Sequence, residues 1–419
     1  MSDLWLNMLH MKHIWTASYC EGWNGPAGKP VGSLSQEEAR QRDEDGLPYS
    51  VLIAENGRPR FVLDIAWRQN YLARWAFDGE ARRASRAVFL RLEDGKLFER
   101  KLTEWQYESG EADGSPKVPR QTLDRGFDGR TTIYHRHRSG SSGHTSKIEP
   151  FEQFIHPAVS FENWGSIFGG EDLPALAVTP VTESLPFNPG DRRPWDPPVP
   201  YSSPYLDALM TQGSTVVHKD SQQPMVVDHV PVATLNFPTG NVVACDPNWL
   251  DPKEAFMVSV PPGSYRVIEL QIMRMLDGEE YRPAAGYLLE ISGEPTVSWE
   301  FALEPGQDLR LLDDGDFYGF DVESGFGSFM DDATQRPLID HVGDDFTEWS
   351  QDLYNSPHFT VPGTSLDLFA YNCYYGDGSY PTWIGRDARG SVTCFLSDML
   401  IVSDGKSKKG YEITFERDW

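Results

Sequence analysis

Cysteine is scarce in this 419-residue chain: Cys20, Cys245, Cys373 and Cys394 are the whole complement, with no C-x-x-C spacing among them. That pattern argues against a disulfide-stapled fold or a zinc ribbon, and buried free thiols in a reducing compartment are the expectation. Long apolar runs are missing as well. No stretch of 18 apolar residues occurs, which leaves no candidate membrane-spanning helix. The opening Met1-Ser2-Asp3-Leu4-Trp5 has an early acid, and His10, Lys12 and His13 interrupt its apolar stretch. It lacks the basic start and unbroken apolar core of a secretion signal, so a cytoplasmic protein is expected. There is no G-x-x-x-x-G-K-[ST] phosphate loop and no G-x-S-x-G nucleophile elbow. No motif therefore announces a reaction, and no cofactor or metal is expected.

What the chain does have is aromatic mass and an uneven distribution of charge. Thirteen Trp and 22 Phe supply large buried areas despite a hydrophobic share of only 39%. A length of 419 residues points to two domains. Residues 1–150 contain 22 Lys+Arg and 21 Asp+Glu, a net of +1, whereas residues 151–419 contain 15 and 42, a net of −27. Two bodies with different surfaces are implied. The acidic one should repel nucleic acid and anionic membrane and attract a basic protein or a cation.

The first segment, residues 1–184, reads as an antiparallel β-meander. Its apolar runs are broken by Asn56-Gly57, Asp78-Gly79, Asp94-Gly95 and Asp128-Gly129, pairs that accept the positive φ of tight hairpin turns. Ser35-Gln36-Glu37-Glu38 has the spacing of a capping box and predicts one short helix. Residues 185–205 are proline-rich and cannot form a continuous helix or central strand, so they are expected to be the interdomain linker, free or packed as an extended strap. The acidic remainder, 206–419, predicts short strands at 241–245, 256–260, 265–272, 287–291 and 297–303, a buried strand over 391–402 and a last one at 411–415, with a helical turn or two over 348–353. The fold class expected is mainly β, a β-rich α+β protein of two antiparallel-sheet domains.

Four pieces of the acidic body, in order, carry a resemblance. The first is Gly240-Asn241-Val242-Val243-Ala244-Cys245-Asp246-Pro247 with Pro262-Gly263-Ser264-Tyr265; the second is Ala284-Ala285 ahead of Trp299-Glu300-Phe301-Ala302. The third runs from Gly319-Phe320-Asp321 through Gly325-Phe326-Gly327 to Phe329-Met330-Asp331, and the fourth is Gly376-Asp377-Gly378-Ser379-Tyr380-Pro381-Thr382-Trp383, then Gly385-Arg386-Asp387, Gly390, Val392 and Asp398. Over residues 236–404 the chain resembles a bacterial family of unknown function, some of whose members lie near polymorphic toxin loci. The resemblance implies no activity and suggests an immunity role. Residues 1–180 match no family in this way.

The motif residues themselves read first as structural. Gly376, Gly378, Gly385 and Gly390 suit positive φ or tight turns, Asp377 and Asp387 suit turn caps, and Tyr380 and Trp383 suit the core. A second reading has Asp321, Glu323, Asp331, Asp377, Asp387 and Asp398 converging into a cation site or the acid and base of a hydrolase. Asp313-Asp314-Gly315-Asp316 lacks the length and terminal Glu of a calcium loop. On a strand, His135 and His137 would share one side, but no third ligand follows at a recognisable distance, and a solvated basic strip with Arg136 and Arg138 is the simpler expectation. The function expected is non-catalytic: an immunity protein that neutralises a basic, nuclease-like toxin, with Asp313, Asp314, Asp316, Phe317, Tyr318 and Trp249 as contact candidates. A hydrolase or metal-dependent enzyme, and a structural or regulatory module, stay open as alternatives.

Overall fold

A computed structural model describes residues 14–168, 176–188, 190–248, 251–276, 278–343 and 346–403. The protein is mainly β, and its chain contacts divide it into two compact units between Pro198 and Val199. No helix among the described residues is long and apolar enough to cross a membrane.

The first unit is one large sheet. Eight strands follow each other as antiparallel neighbours from Tyr49–Glu55 to Ser142–Ile148, and Trp15–Asn24 pairs beside the first of them. The four Asn-Gly and Asp-Gly pairs each turn one strand into the next. At Asn56-Gly57 both residues have positive φ, the conformation a two-residue hairpin demands. Helix Gln36–Asp45 begins at the expected capping box: Ser35 accepts from the Glu38 amide while Glu38 returns to the Ser35 amide. The core lies on one face of the sheet, where Val51, Ile53, Leu63, Leu72 and Phe89 pack under Trp164, Ile167 and Phe168.

The proline-rich stretch is tied down along its length. Leu185 exchanges backbone hydrogen bonds with Pro30 and Gly32, and Arg193 reaches the buried Glu21 at 3.0 Å. Trp195 stacks on Tyr71 and donates its indole N–H to Ser50 Oγ at 2.7 Å, which in turn donates to the buried Asp64. Beyond the division, Ser203 and Tyr205 are fixed in the second unit by Asp398. The strap form, not the free tether, is the one present.

The second unit has three layers. Among the described residues nine strands form one antiparallel sheet, which contains the two long strands Pro224–Phe237 and Gly263–Leu276. Against it lies a four-stranded sheet ordered Val242–Cys245, Phe326–Asp331, Asp367–Asn372 and His358–Thr360. Helices Asp332–Val342 and Phe346–Asn355 form the third layer. The small sheet is buried on both faces, and its side chains alternate accordingly. Val242, Ala244, Phe329, Phe369 and Tyr371 join the core toward the large sheet, while Val243, Cys245, Met330, Leu368 and Ala370 join Leu338, Trp349 and Leu353 of the helical layer.

Three expectations need correction. Residues 256–260 are not a strand: Phe256 and Val260 reach the core, but isolated backbone bonds to Val242, Leu303 and Gly240 hold the segment in place of a ladder, and Pro261-Pro262 follow without amide donors. The run 391–402 is not continuous; its strand stops at Asp398, and Leu400 adopts a φ of 59°. The helical turn or two expected over 348–353 is not all the helix in this unit: Asp332–Val342 is helical too, with Pro337 inside it. The proposed strand at 411–415 lies outside the described residues. All four cysteines are free and buried, as expected from their spacing.

The strap geometry has a measurable consequence. Trp195→Ala removes one buried hydrogen bond and a stacked ring, a loss of about 2 kcal/mol. Limited proteolysis should then cut within residues 185–198 at protease levels that leave the wild type intact; equal resistance of both chains would show that the indole is not the anchor.

Candidate functional site

The family-like motif acids do not gather. Among the described residues no group of three or more His, Cys, Asp or Glu side chains is placed to hold a metal ion. Asp246, Asp331, Asp387 and Asp398 each have a separate local task. Asp246, only 1% exposed, accepts from the amides of Asn248, Glu323 and Ser324 at 2.8–2.9 Å and from Ser324 Oγ at 2.7 Å. Asp331, fully buried, accepts from the amides of Thr239, Gly240 and Ala333 and from Thr239 Oγ1, all at 2.9–3.0 Å. Asp398 is buried under Ser203 and Tyr205 and takes the Leu400 amide; burial raises its carboxyl above the usual range against those hydrogen bonds. Asp387 caps its own turn by accepting from the Arg389 and Ser391 amides. Asp321 and Asp377 are exposed, Asp321 within the two-stranded ribbon of Phe320–Val322 and Gly378–Tyr380 and Asp377 just before its second strand.

The other motif positions are equally local. Pro247 accepts from the Trp349 indole at 3.1 Å, Gly263 opens its long strand, and Gly325 and Gly390 sit in turns at positive φ. Gly385 differs from expectation. It lies inside strand Thr382–Arg386, where a Cβ would meet Cys394 Sγ at 2.6 Å, so a close approach and not a turn requires glycine there.

The expected contact loop is only partly available. Asp314 and Asp316 are exposed, but the loop is zipped onto Val199 and Tyr201 by backbone bonds from Gly315 and Asp316. Phe317 packs on Tyr201 at 5.5 Å and Tyr318 donates to the Asp308 carbonyl, so both rings are half-buried and committed within the unit. Trp249 lies outside the described residues. In the first unit, His135 and His137 share a side as expected, with ring centroids 6.4 Å apart.

Two adjacent aromatic rings of this unit do reach solvent elsewhere. Tyr374 and Tyr375 are 37% and 40% exposed, and they stand directly before the Gly376-Asp377-Gly378 motif. Gly376, at φ 72°, closes the turn by donating to the Cys373 carbonyl, and Tyr380 OH donates to the Gly376 carbonyl, which fixes the turn from below. The hydroxyls of Tyr281 and Tyr374 meet at 2.9 Å, and Tyr375 OH donates to Asp220 at 2.9 Å. Tyr281 is reached by the hairpin whose exposed tip carries Met275 and Leu276. The Tyr374 hydroxyl is pushed up to about 12, first by its bond to Tyr281, then by burial and Asp220.

His218 forms the floor. It is 3% exposed, with Tyr374 and Tyr281 edge-on at 5.7 and 6.5 Å. Its Nδ1 accepts from the Ser221 amide at 3.2 Å, so the neutral ring carries its proton on Nε2, which has no hydrogen-bond partner among the described residues. Burial lowers its basicity; Asp220 opposes and Arg274 reinforces that shift. The sequence signal for this cluster was a Tyr-Tyr pair abutting a Gly-Asp-Gly turn. It was legible as a turn but not as a display of rings.

Residues 235–397 match the family model of a protein of unknown function, DUF4241. No curated protein and no solved structure matches the chain. The matched span includes Tyr281, Tyr374 and Tyr375 and the buried Asp246 and Asp331; His218 and Asp398 lie outside it.

Asp331→Ala leaves three amides without their acceptor and should destabilise the second unit by about 3 kcal/mol, with Asp331→Asn intermediate because one oxygen remains. Urea unfolding of the three proteins decides it, and an unchanged midpoint in Asp331→Ala would remove the structural role. His218 supplies a pH test. Its lowered value means the unfolded chain binds more protons near pH 6, so its contribution is complete above the ordinary imidazole value of about 6.5 and is lost as pH falls below it. Melting temperature should therefore drop more between pH 7.5 and 5.5 in the wild type than in His218→Gln; parallel curves would refute it.

Proposed function

We propose that this protein is a non-catalytic binding protein that captures a basic protein partner, a cognate nuclease-like bacterial toxin domain, in the cytoplasm. The observation that carries this reading is the exposed tyrosine cluster in the midst of a strongly acidic body. Residues 199–419 hold 13 Lys+Arg against 35 Asp+Glu, a net of −22. Exposed acids stand beside the rings, with Lys219 over Tyr375 and Arg274 over Tyr281 as the nearby cations: Asp220 holds Tyr375, Glu279 and Glu280 precede Tyr281, and Asp377 follows Tyr375 by two residues.

Such a surface divides the work of binding. The diffuse negative field steers a cationic partner and raises the association rate. The tyrosines supply the contact energy, because each offers a large apolar face with a polar rim and few torsions to freeze. A toxin whose basic groove is meant for nucleic acid would present the complementary charge and would be occluded by the same contact.

The partner to test is a toxin domain encoded beside this gene. Its association rate, measured by biolayer interferometry, should fall steeply between 50 and 500 mM NaCl. Tyr374→Ala and Tyr375→Ala should each weaken the equilibrium about tenfold or more, equivalent to about 1.4 kcal/mol, without lowering the melting temperature. Salt-independent association would remove the electrostatic basis, and full affinity in both variants would move the contact off this surface.

A further inference from the structure

The first unit's sheet has a second face, and its outer half carries an arrangement that the second unit's proposed role does not use. Directly opposed residues share a face. One row across the strands runs Trp75, Arg86, Thr103, Thr122 and Tyr134, ending at His144. The adjacent row runs Trp105, Arg120 and Arg136. The two indoles stack at 6.2 Å with an interplanar angle of 18°, and the guanidiniums of Arg86 and Arg83 lie over them at 4.9 and 5.7 Å. Tyr134, 48% exposed, lies beside the exposed His144 at 6.0 Å. Thr103 and Thr122 hydroxyls join at 3.0 Å between the rings and the arginines.

The charges on this face are out of balance in one direction. Asp113 is taken by Arg83, Asp124 by Lys101 and Glu111 by Arg138. Arg120 and Arg136, directly cross-strand, have no carboxylate partner among the described residues, whereas Arg86 donates to the Tyr71 hydroxyl at 2.9 Å and is attracted by the buried Asp64. Like charges directly opposite each other destabilise a sheet, so this pair costs the fold something that an anion would return. The face carries paired hydroxyls, rings and guanidinium planes, where a protein side chain would be met by an apolar pocket.

We propose that this face binds single-stranded nucleic acid, with Arg86, Arg120 and Arg136 on phosphates and with Tyr134 and the arginine-capped indoles as stacking platforms for bases. Unpaired guanidiniums interleaved with planar rings on an open sheet are what a single strand needs, because every base has a face to stack and every nucleotide a phosphate to neutralise. The net charge of the second unit does not forbid this, since its field is screened beyond about 8 Å at physiological salt.

The test uses the full chain and a fluorescent 12-nucleotide single strand, RNA and DNA, in anisotropy titrations at 50 and 200 mM NaCl. Three neutralised phosphates give a log–log salt slope of about −2, so affinity should fall about 20-fold over that range. Arg120→Gln/Arg136→Gln should reduce the slope to about −0.7 and weaken binding at 50 mM salt, while melting no lower than wild type because the like-charge pair is gone. Tyr134→Ala should weaken binding at an unchanged slope. No oligonucleotide binding at 50 mM salt would overturn the proposal, as would an unaltered slope in the double variant. Preferential binding of polyglutamate over the oligonucleotide would overturn it in favour of an acidic protein partner.

Discussion

Two buried carboxylates set the geometry of the second unit. Strand Val242–Cys245 runs antiparallel to Phe326–Asp331, and each ends in or just before an aspartate. Asp246, past the end of the first strand, grips the Glu323 and Ser324 amides in the turn that leads into the second. Asp331, at the end of the second, grips the Thr239 and Gly240 amides in the turn that leads into the first. The clamps are reciprocal, so neither strand can slip without breaking the other's entry. A one-residue slip would be costly here, because it would exchange the residues facing the large sheet with those facing the helices. Gly240 completes the arrangement: at φ 73° its Cβ position would lie 1.8 Å from the Val260 carbonyl oxygen.

This frame explains why motifs that could be taken for catalytic acids do not form one site. Asp246 and Asp331 are consumed at opposite ends of one strand pair, and Asp398 is consumed by the tyrosine and serine that bring the chain into the unit. What the frame leaves over is surface. The turn at Gly376 is anchored inward by Tyr380 and outward it holds two tyrosines. Closure of the turn and presentation of the rings thus fall on the same few residues.

The parts legible in the sequence are those whose cause is local. Asn56-Gly57 and Ser35-x-x-Glu38 specify a turn and a helix start through their own backbone conformations and hydrogen bonds, so no distant residue is needed to read them. The mainly β class follows from repeated turns of that kind. Other features depend on partners far away in the chain. Residues 256–260 have a strand's composition but lack a neighbouring edge to pair with along their length, and Pro337 is tolerated in a helix because Leu338 and Val342 are held by the small sheet. Phe317 looked like a contact residue beside four acidic-loop positions, yet Tyr201, 116 residues earlier, covers it. Tertiary packing overrode local character in each case.

The same dependence bears on how the tyrosine cluster can act. An exposed ring on a flexible loop pays for immobilisation when it binds, about 0.5–1.5 kcal/mol per side chain. Here the ordering is already done. Tyr281 and Tyr374 hold each other through their hydroxyls, Tyr375 is held by Asp220, and the closed turn at Gly376 fixes the backbone beneath. His218 below them must stay neutral, because a second proton would fall on Nδ1 and expel the Ser221 amide that now points at it. Under the proposed function, rigid rings over a neutral floor in an acidic unit would be ordered before a cationic partner arrives. Long-range charge would then govern how fast contact is made, and the fixed rings how long it lasts.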